Sequence, residues 1–180
     1  MSPAQNHLDR ARVIRGAVEL ADEIGVDALT MRRLADHLSV RPMSIYTYVS
    51  SKNDLVDGMV GQVFAEIERP ASDAPWKDAV RIRARSTRAV LHRHPWAIPL
   101  MESRRNPTAS VLAHHDAALA VWLRAGFPLP LVAHANVTVD AVVSGCALRD
   151  AARPGRAAGN SFDFGLETLL DALERASERP

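Results

Sequence analysis

The residues with the most chemistry per position lie in one short stretch, SVRPMSIYTYVSSKNDL, residues 39–55. It holds both tyrosines of the chain, Tyr46 and Tyr48, together with Ser44, Thr47 and Lys52. Hydroxyls of this kind donate to phosphate oxygens or meet base edges, and the methyl groups of Met43 and Thr47 can touch a thymine methyl. Charge is concentrated in the same place. Arg32, Arg33, Arg41 and Lys52 stand against Asp36 alone in residues 30–53, a surplus of three positive charges, whereas residues 1–60 hold seven basic and eight acidic side chains. The set suits a DNA groove.

The other candidate chemistry is weaker. His92 and His94 are two apart and His114 and His115 are adjacent, so on a helix each pair diverges. No histidine pair has the i, i+4 spacing of a helical metal site, and a single cysteine, Cys146, allows neither a disulfide nor a cysteine cage. No metal and no cofactor is expected. A helical enzyme built on these histidines with Asp116 or Asp140 would need a nucleophile–base pair, and none is recognisable. A protein-binding adaptor is the other rival. The chain is not expected to be an enzyme.

The elements that must position the first set are helical throughout. Val13, Ala17, Leu20, Ala21 and Ile24 form one apolar stripe, stopped by Gly25. Thr30 is a natural N-cap for a short helix in which Leu34 and Leu38 share a face. After a three-residue break, Ser39-Val40-Arg41, Pro42 opens a third helix running to about Val49, anchored by Val40, Ile45 and Val49. Met43, Ser44, Thr47 and Tyr48 are left for its outer side, with Tyr46 near the edge. Two short helices joined by a tight break have helix-turn-helix geometry. A fourth helix runs from about Lys52 to Glu68. The joint RPASDAP, residues 69–75, precedes helices at 76–94, 108–125, 131–150 and 162–176, and the Gly- and Ala-rich stretch 151–161 is expected to be mobile.

The chain has 180 residues, 47% of them apolar, and a net charge of +1. A packed core is possible and a coating, histone-like nucleic-acid binder is excluded. There is no basic-then-apolar leader. The apolar stretch 129–148 contains His134, Asn136, Asp140 and Ser144, so it reads as a packed helix rather than a membrane span. A cytoplasmic location is expected.

Residues 8–67 resemble the N-terminal domain of the TetR family of bacterial transcriptional repressors. The resemblance rests on VIRGAVELADEIGVDALTMRRLADHLSV and PMSIYTYVSSKNDLVDGM: Gly25, Leu29-Thr30, Leu34-Ala35, Ser39-Val40, Ile45-Tyr46 and Lys52 match the family pattern. Ser39 stands where the family usually has glycine. PWKDAV, LHRHPWA, WLRAGF and SGCALRD resemble the C-terminal domain of the tetracycline-repressor branch. The resemblance implies an all-α homodimer with a helix-turn-helix head, residues 1–53, and a helical effector-binding and dimerisation body, residues 54–180, joined by helix 54–68. It implies binding of a palindromic double-stranded operator and release by a small, largely apolar effector. Where the drug-binding branch has a magnesium-coordinating histidine, this sequence has Leu100 or Met101, so a magnesium–tetracycline ligand does not carry over.

On this reading the DNA-binding residues are Thr30, Arg32, Arg41, Met43, Ser44, Tyr46, Thr47, Tyr48 and Lys52. The effector pocket is expected to draw on Arg83, Thr87, Trp96, Met101, His115, Trp122, His134 and Thr138. Arg83 would suit a carboxylate if it faced the pocket, although Arg81 and Arg85 make the run look like a solvated face. The dimer interface is expected to use Val132, Val139, Val143, Leu166, Leu169, Leu170 and Leu173.

Overall fold

The computed structural model describes residues 7–103, 108–152 and 159–178. Every regular element among them is helical: α1 (Arg10–Ile24), α2 (Met31–Leu38), α3 (Pro42–Tyr46), α4 (Lys52–Ala65), α5 (Trp76–Arg93), a 3-10 turn (Pro95–Ala97), α6 (Ile98–Ser103), α7 (Ala109–Arg124), α8 (Leu129–Ala152) and α9 (Gly159–Ser177). The mobility expected of 151–161 falls mainly on residues outside the described ones.

The helix starts are written in side chains. Asp9 accepts from the Arg12 N–H at 2.6 Å, Thr30 from Arg33 at 3.2 Å and Ser51 from Asp54 at 3.1 Å, each satisfying a first-turn donor that the helix leaves free. The end of α2 is a left-handed turn made by Ser39, at φ 56° and ψ 42°. The Val40 N–H reaches back to the Ala35 carbonyl at 2.9 Å and closes it.

Several element boundaries differ from the sequence expectation, among them the start of α9 at Gly159, three residues before the expected one. α3 holds five residues and gives way to a turn at Thr47, where the N–H groups of Tyr48 and Val49 share the Ile45 carbonyl. α4 ends at Ala65, and Glu68 donates its N–H to Ser86 Oγ at 2.8 Å instead of continuing the helix. α8 begins two residues early, because Pro130 falls in a first turn that needs no N–H from it.

α1, α2 and α3 close a small core on Val13, Leu34, Ile45 and Val49. α4 packs on α1 at one end and on α7 at the other. Two of its glycines make close seats there. A methyl on Gly58 would stand 2.6 Å from Ile14, and one on Gly61 would stand 2.8 Å from Thr108. α8 is the central helix of the remainder, packed against α5, α7 and α9. By length and composition it could cross a membrane, and a third of its most apolar window is buried within the chain.

α5 and α9 are joined by a ladder of ion pairs. Lys77 meets Asp171 and Glu174, Arg81 holds Glu167 through two nitrogens, and Arg85 holds Asp163. Partners rise along one helix as they fall along the other, so the two run antiparallel. The basic run on α5 is therefore a paired face.

Candidate nucleic-acid interface and effector cavity

α3 presents two faces. Ile45 and Val49 are fully buried and fix it to α1 and α2, while Met43 is 76% and Tyr46 46% exposed. Thr30, Arg32, Arg41, Thr47 and Lys52 are exposed around it, and Ser44 is half-buried. Tyr48 is also half-buried and packs on the core, contrary to its expected outward position. The short α3 is the reason. Tyr48 falls in the turn after the helix, which rotates it inward and leaves Tyr46 on the helix as the outer ring. Thr30 is committed to capping α2, and Arg33 folds back to donate to the Ala28 carbonyl at 3.0 Å.

The turn after α3 is held by a clamp that sequence reasoning missed. Arg10 donates to the Tyr48 carbonyl at 2.7 Å and to Asp54 Oδ1 at 2.6 Å. Asp54 Oδ2 accepts from the Ser50 N–H at 2.7 Å and from its hydroxyl. The Arg10 guanidinium and these Ser50 bonds hold the Asp54 carboxyl down at about 2, well below the ordinary carboxylate value. The start of α1, the turn after α3 and the start of α4, where Lys52 sits, are thereby fixed to one another.

A second cluster ties α1 to the rest of the chain. Asp22 Oδ1 accepts from Trp96 Nε1 at 2.6 Å and lies 2.8 Å from His94 Nδ1. His94 Nε2 lies 3.2 Å from Glu66 Oε2, which also accepts from Arg93 at 2.8 Å.

Beyond this cluster lies a cavity of about 720 Å³, walled by α4, α5, α6, α7 and α8. That is within the range of small-molecule sites. Arg83, Thr87, Met101 and His115 line it, with Phe64, His114, Asn136 and Asp140. Four expected residues lie elsewhere. Trp96 is the donor to Asp22, and Trp122 packs with Trp76 and Phe127 in an aromatic cluster. His134 and Thr138 are exposed on α8, where the Thr138 hydroxyl donates to the His134 carbonyl. They miss the cavity because its α8 wall is set by Asn136 and Asp140, one turn apart. That pair of polar residues on an otherwise apolar helix was the available signal. Arg83 donates to Asp140 Oδ1 at 2.8 Å and to Asn136 Oδ1 at 3.3 Å. Burial, reinforced by the Arg83 charge, pushes the His114 ring down to about 4, so it is uncharged at neutral pH. Among the described residues, no three His, Cys, Asp or Glu side chains converge to hold a metal.

The expected dimer residues are also placed differently. Val132, Val139, Val143, Leu166, Leu170 and Leu173 are buried within the chain and Leu169 is partly so. α8 and α9 spend these stripes on α5, α7 and each other. Among the described residues, the exposed large apolar side chains of these two helices are Leu129, Val137 and Leu148 on α8 and Phe164 on α9, and Val137 and Leu148 also border the cavity.

Residues 13–59 match the family described as bacterial regulatory proteins, tetR family, and residues 69–160, half of the chain, match the tetracyclin repressor-like C-terminal domain. The chain belongs to the TetR family. Among relatives of this TetR-family chain, the HTH-type transcriptional repressor DrrR1 of Streptomyces coeruleorubidus is 35% identical over 138 residues, covering 76% of the chain and 51% of the relative. The chain thus spans about half the length of that relative. A single-residue variant of TetR from Acinetobacter baumannii AYE, solved in complex with minocycline, superposes with a TM-score of 0.82 at 26% identity and covers 96% of the chain and 100% of its own. ActR of Streptomyces coelicolor, solved with actinorhodin, shares the fold at a TM-score of 0.86 and 21% identity, covering 99% of each chain.

Proposed function

We propose that this TetR-family chain is a dimeric, cytoplasmic, non-enzymatic transcriptional repressor that binds a palindromic operator and is released by a small molecule held in the 720 Å³ cavity. Residues 1–53 form the reading head and residues 54–180 the effector-binding and dimerisation body. The observation that carries this reading is the clamped α3: an outer face of Met43, Tyr46 and Thr47, flanked by Arg32, Arg41 and Lys52, with the turn that follows α3 fixed by Arg10 and Asp54. A rigid, hydroxyl-rich, cationic edge fits a major groove and its phosphates. The repressor name of DrrR1 and the drug bound by the Acinetobacter relative support the two halves of the reading.

The segment from His94 to Met101 links those halves. His94 and Trp96 hold Asp22 on α1, and Ile98, Pro99 and Met101 wall the cavity. A molecule that shifts this wall shifts the seat of the head. By linkage, a ligand that weakens DNA binding must bind the DNA-free chain more tightly.

Selection from randomised duplex DNA tests the proposal, and enrichment of an inverted repeat is the expected result. On the selected sequence Lys52→Ala should weaken binding and lower the salt slope by about one unit, and Tyr46→Ala should weaken binding with little change in slope. No enrichment, or unchanged affinity in both variants, would remove the reading face.

A further inference from the structure

The cavity's charges are already spent on one another. Among its described lining residues, Arg83 and Asp140 are the cation and the anion, and they touch at 2.8 Å. Asn136 closes the set, accepting from Arg83 at 3.3 Å and donating to Asp140 Oδ2 at 3.0 Å. Arg83 is 6% and Asn136 8% exposed, whereas the Asp140 side chain is a third exposed, so the cation is buried behind its carboxylate partner. His114 is uncharged at neutral pH, and the wall otherwise includes Phe64, Ile98, Met101, Val143 and Leu148.

Resting on the reading of this cavity as the effector site, we infer that the effector is an uncharged molecule, aromatic or hydrocarbon over most of its surface, with one hydroxyl- or amide-type group seated at the Arg83–Asp140–Asn136 cluster. A carboxylate entering the cavity must shed its water and then share Arg83 with Asp140. An ammonium must shed its water and approach Asp140 with Arg83 already there. Neither finds an unshared counter-charge to offset desolvation. A hydroxyl or amide needs none: it accepts from the guanidinium and donates to the carboxylate, matching both ends of the pair. The carboxylate ligand that Arg83 suggests from sequence alone is therefore disfavoured by its partner.

Three probes of one shape decide the matter: 9-anthracenemethanol, 9-anthracenecarboxylate and 9-(aminomethyl)anthracene, titrated by fluorescence into the full chain at neutral pH. The alcohol should bind about ten-fold or more tightly than either ion. Asp140→Asn leaves Arg83 without its carboxylate and should make the anthracenecarboxylate the tightest of the three. Arg83→Met leaves Asp140 alone and should favour the ammonium. Circular dichroism establishes that each variant is folded, and if either is not, the order in the unaltered chain decides by itself. Binding of the carboxylate or the ammonium as tight as that of the alcohol to the unaltered chain overturns the inference. Saturable binding by none of the three, in a folded chain, counts against the cavity as an effector site and takes the inference with it.

Discussion

His114 shows how one side chain reports on the cavity around it. Its ring meets Phe64 edge-on at 5.3 Å between centroids and is 4% exposed. In an unfolded chain this imidazole takes up its proton near pH 6.5. In the folded chain burial and the nearby Arg83 charge delay that to about 4. Between these values the unfolded state binds the extra proton, so acid favours unfolding. The stability contributed by the neutral ring is complete above pH 6.5 and is lost as the pH falls toward 4. His114→Gln should flatten this part of the profile: the thermal midpoint of the unaltered chain should fall further across the window than that of the variant. Parallel profiles would show that the ring is not held neutral. The tyrosines carry a different lesson at this scale. Composition and spacing mark the pair as unusual, but which ring turns outward depends on where α3 stops, and that is decided by Val49 seeking the core at the expense of helix.

At the scale of elements, most of the fold was legible because it is local. Caps at Thr30, Ser51 and Thr108, stops at Gly25 and Gly126, and the stripe on α1 can be read directly from residue types. Long-range partners were not. The Arg10–Asp54 clamp and the Asp22–Trp96 bond join residues 44 and 74 positions apart, and nothing in spacing announces them. The same limit misassigned the stripes of α8 and α9. An apolar face shows that something covers it, not whether the cover is the same chain or a second copy. Ser39 is the element-scale feature with a measurable consequence. It adopts the left-handed conformation that L side chains disfavour by about 1 kcal/mol or more. Ser39→Gly should stabilise the chain by about 1 kcal/mol, partly offset by the greater freedom of unfolded glycine, and should leave operator affinity unchanged. Chemical denaturation gives the first quantity and an equilibrium DNA titration the second. A loss of stability would mean that the Ser39 side chain contributes more than its backbone strain removes.

At the scale of the whole molecule, the exposed ring of Phe164 on α9 is the seat we propose for a second copy. Phe164 is 75% exposed and stands on α9 opposite Leu166, Leu170 and Leu173, which are buried within the chain. A carboxylate at Phe164 replaces a side chain that is mostly in solvent yet opposes pairing, since an interface core excludes charge. Phe164→Asp should sediment as a folded monomer and lose most of its operator affinity, because paired half-sites need paired heads. A variant that remains dimeric would place the interface elsewhere. A last consequence follows from the bare glycines of α4. Gly58 and Gly61 lie within about one turn on the same side of the helix, one seated on Ile14 of α1 and the other on Thr108 at the start of α7. An added methyl in Gly58→Ala would press on the Ile14 side chain and one in Gly61→Ala on the Thr108 side chain, so the two substitutions wedge separate seams, one between α4 and the head and one between α4 and α7.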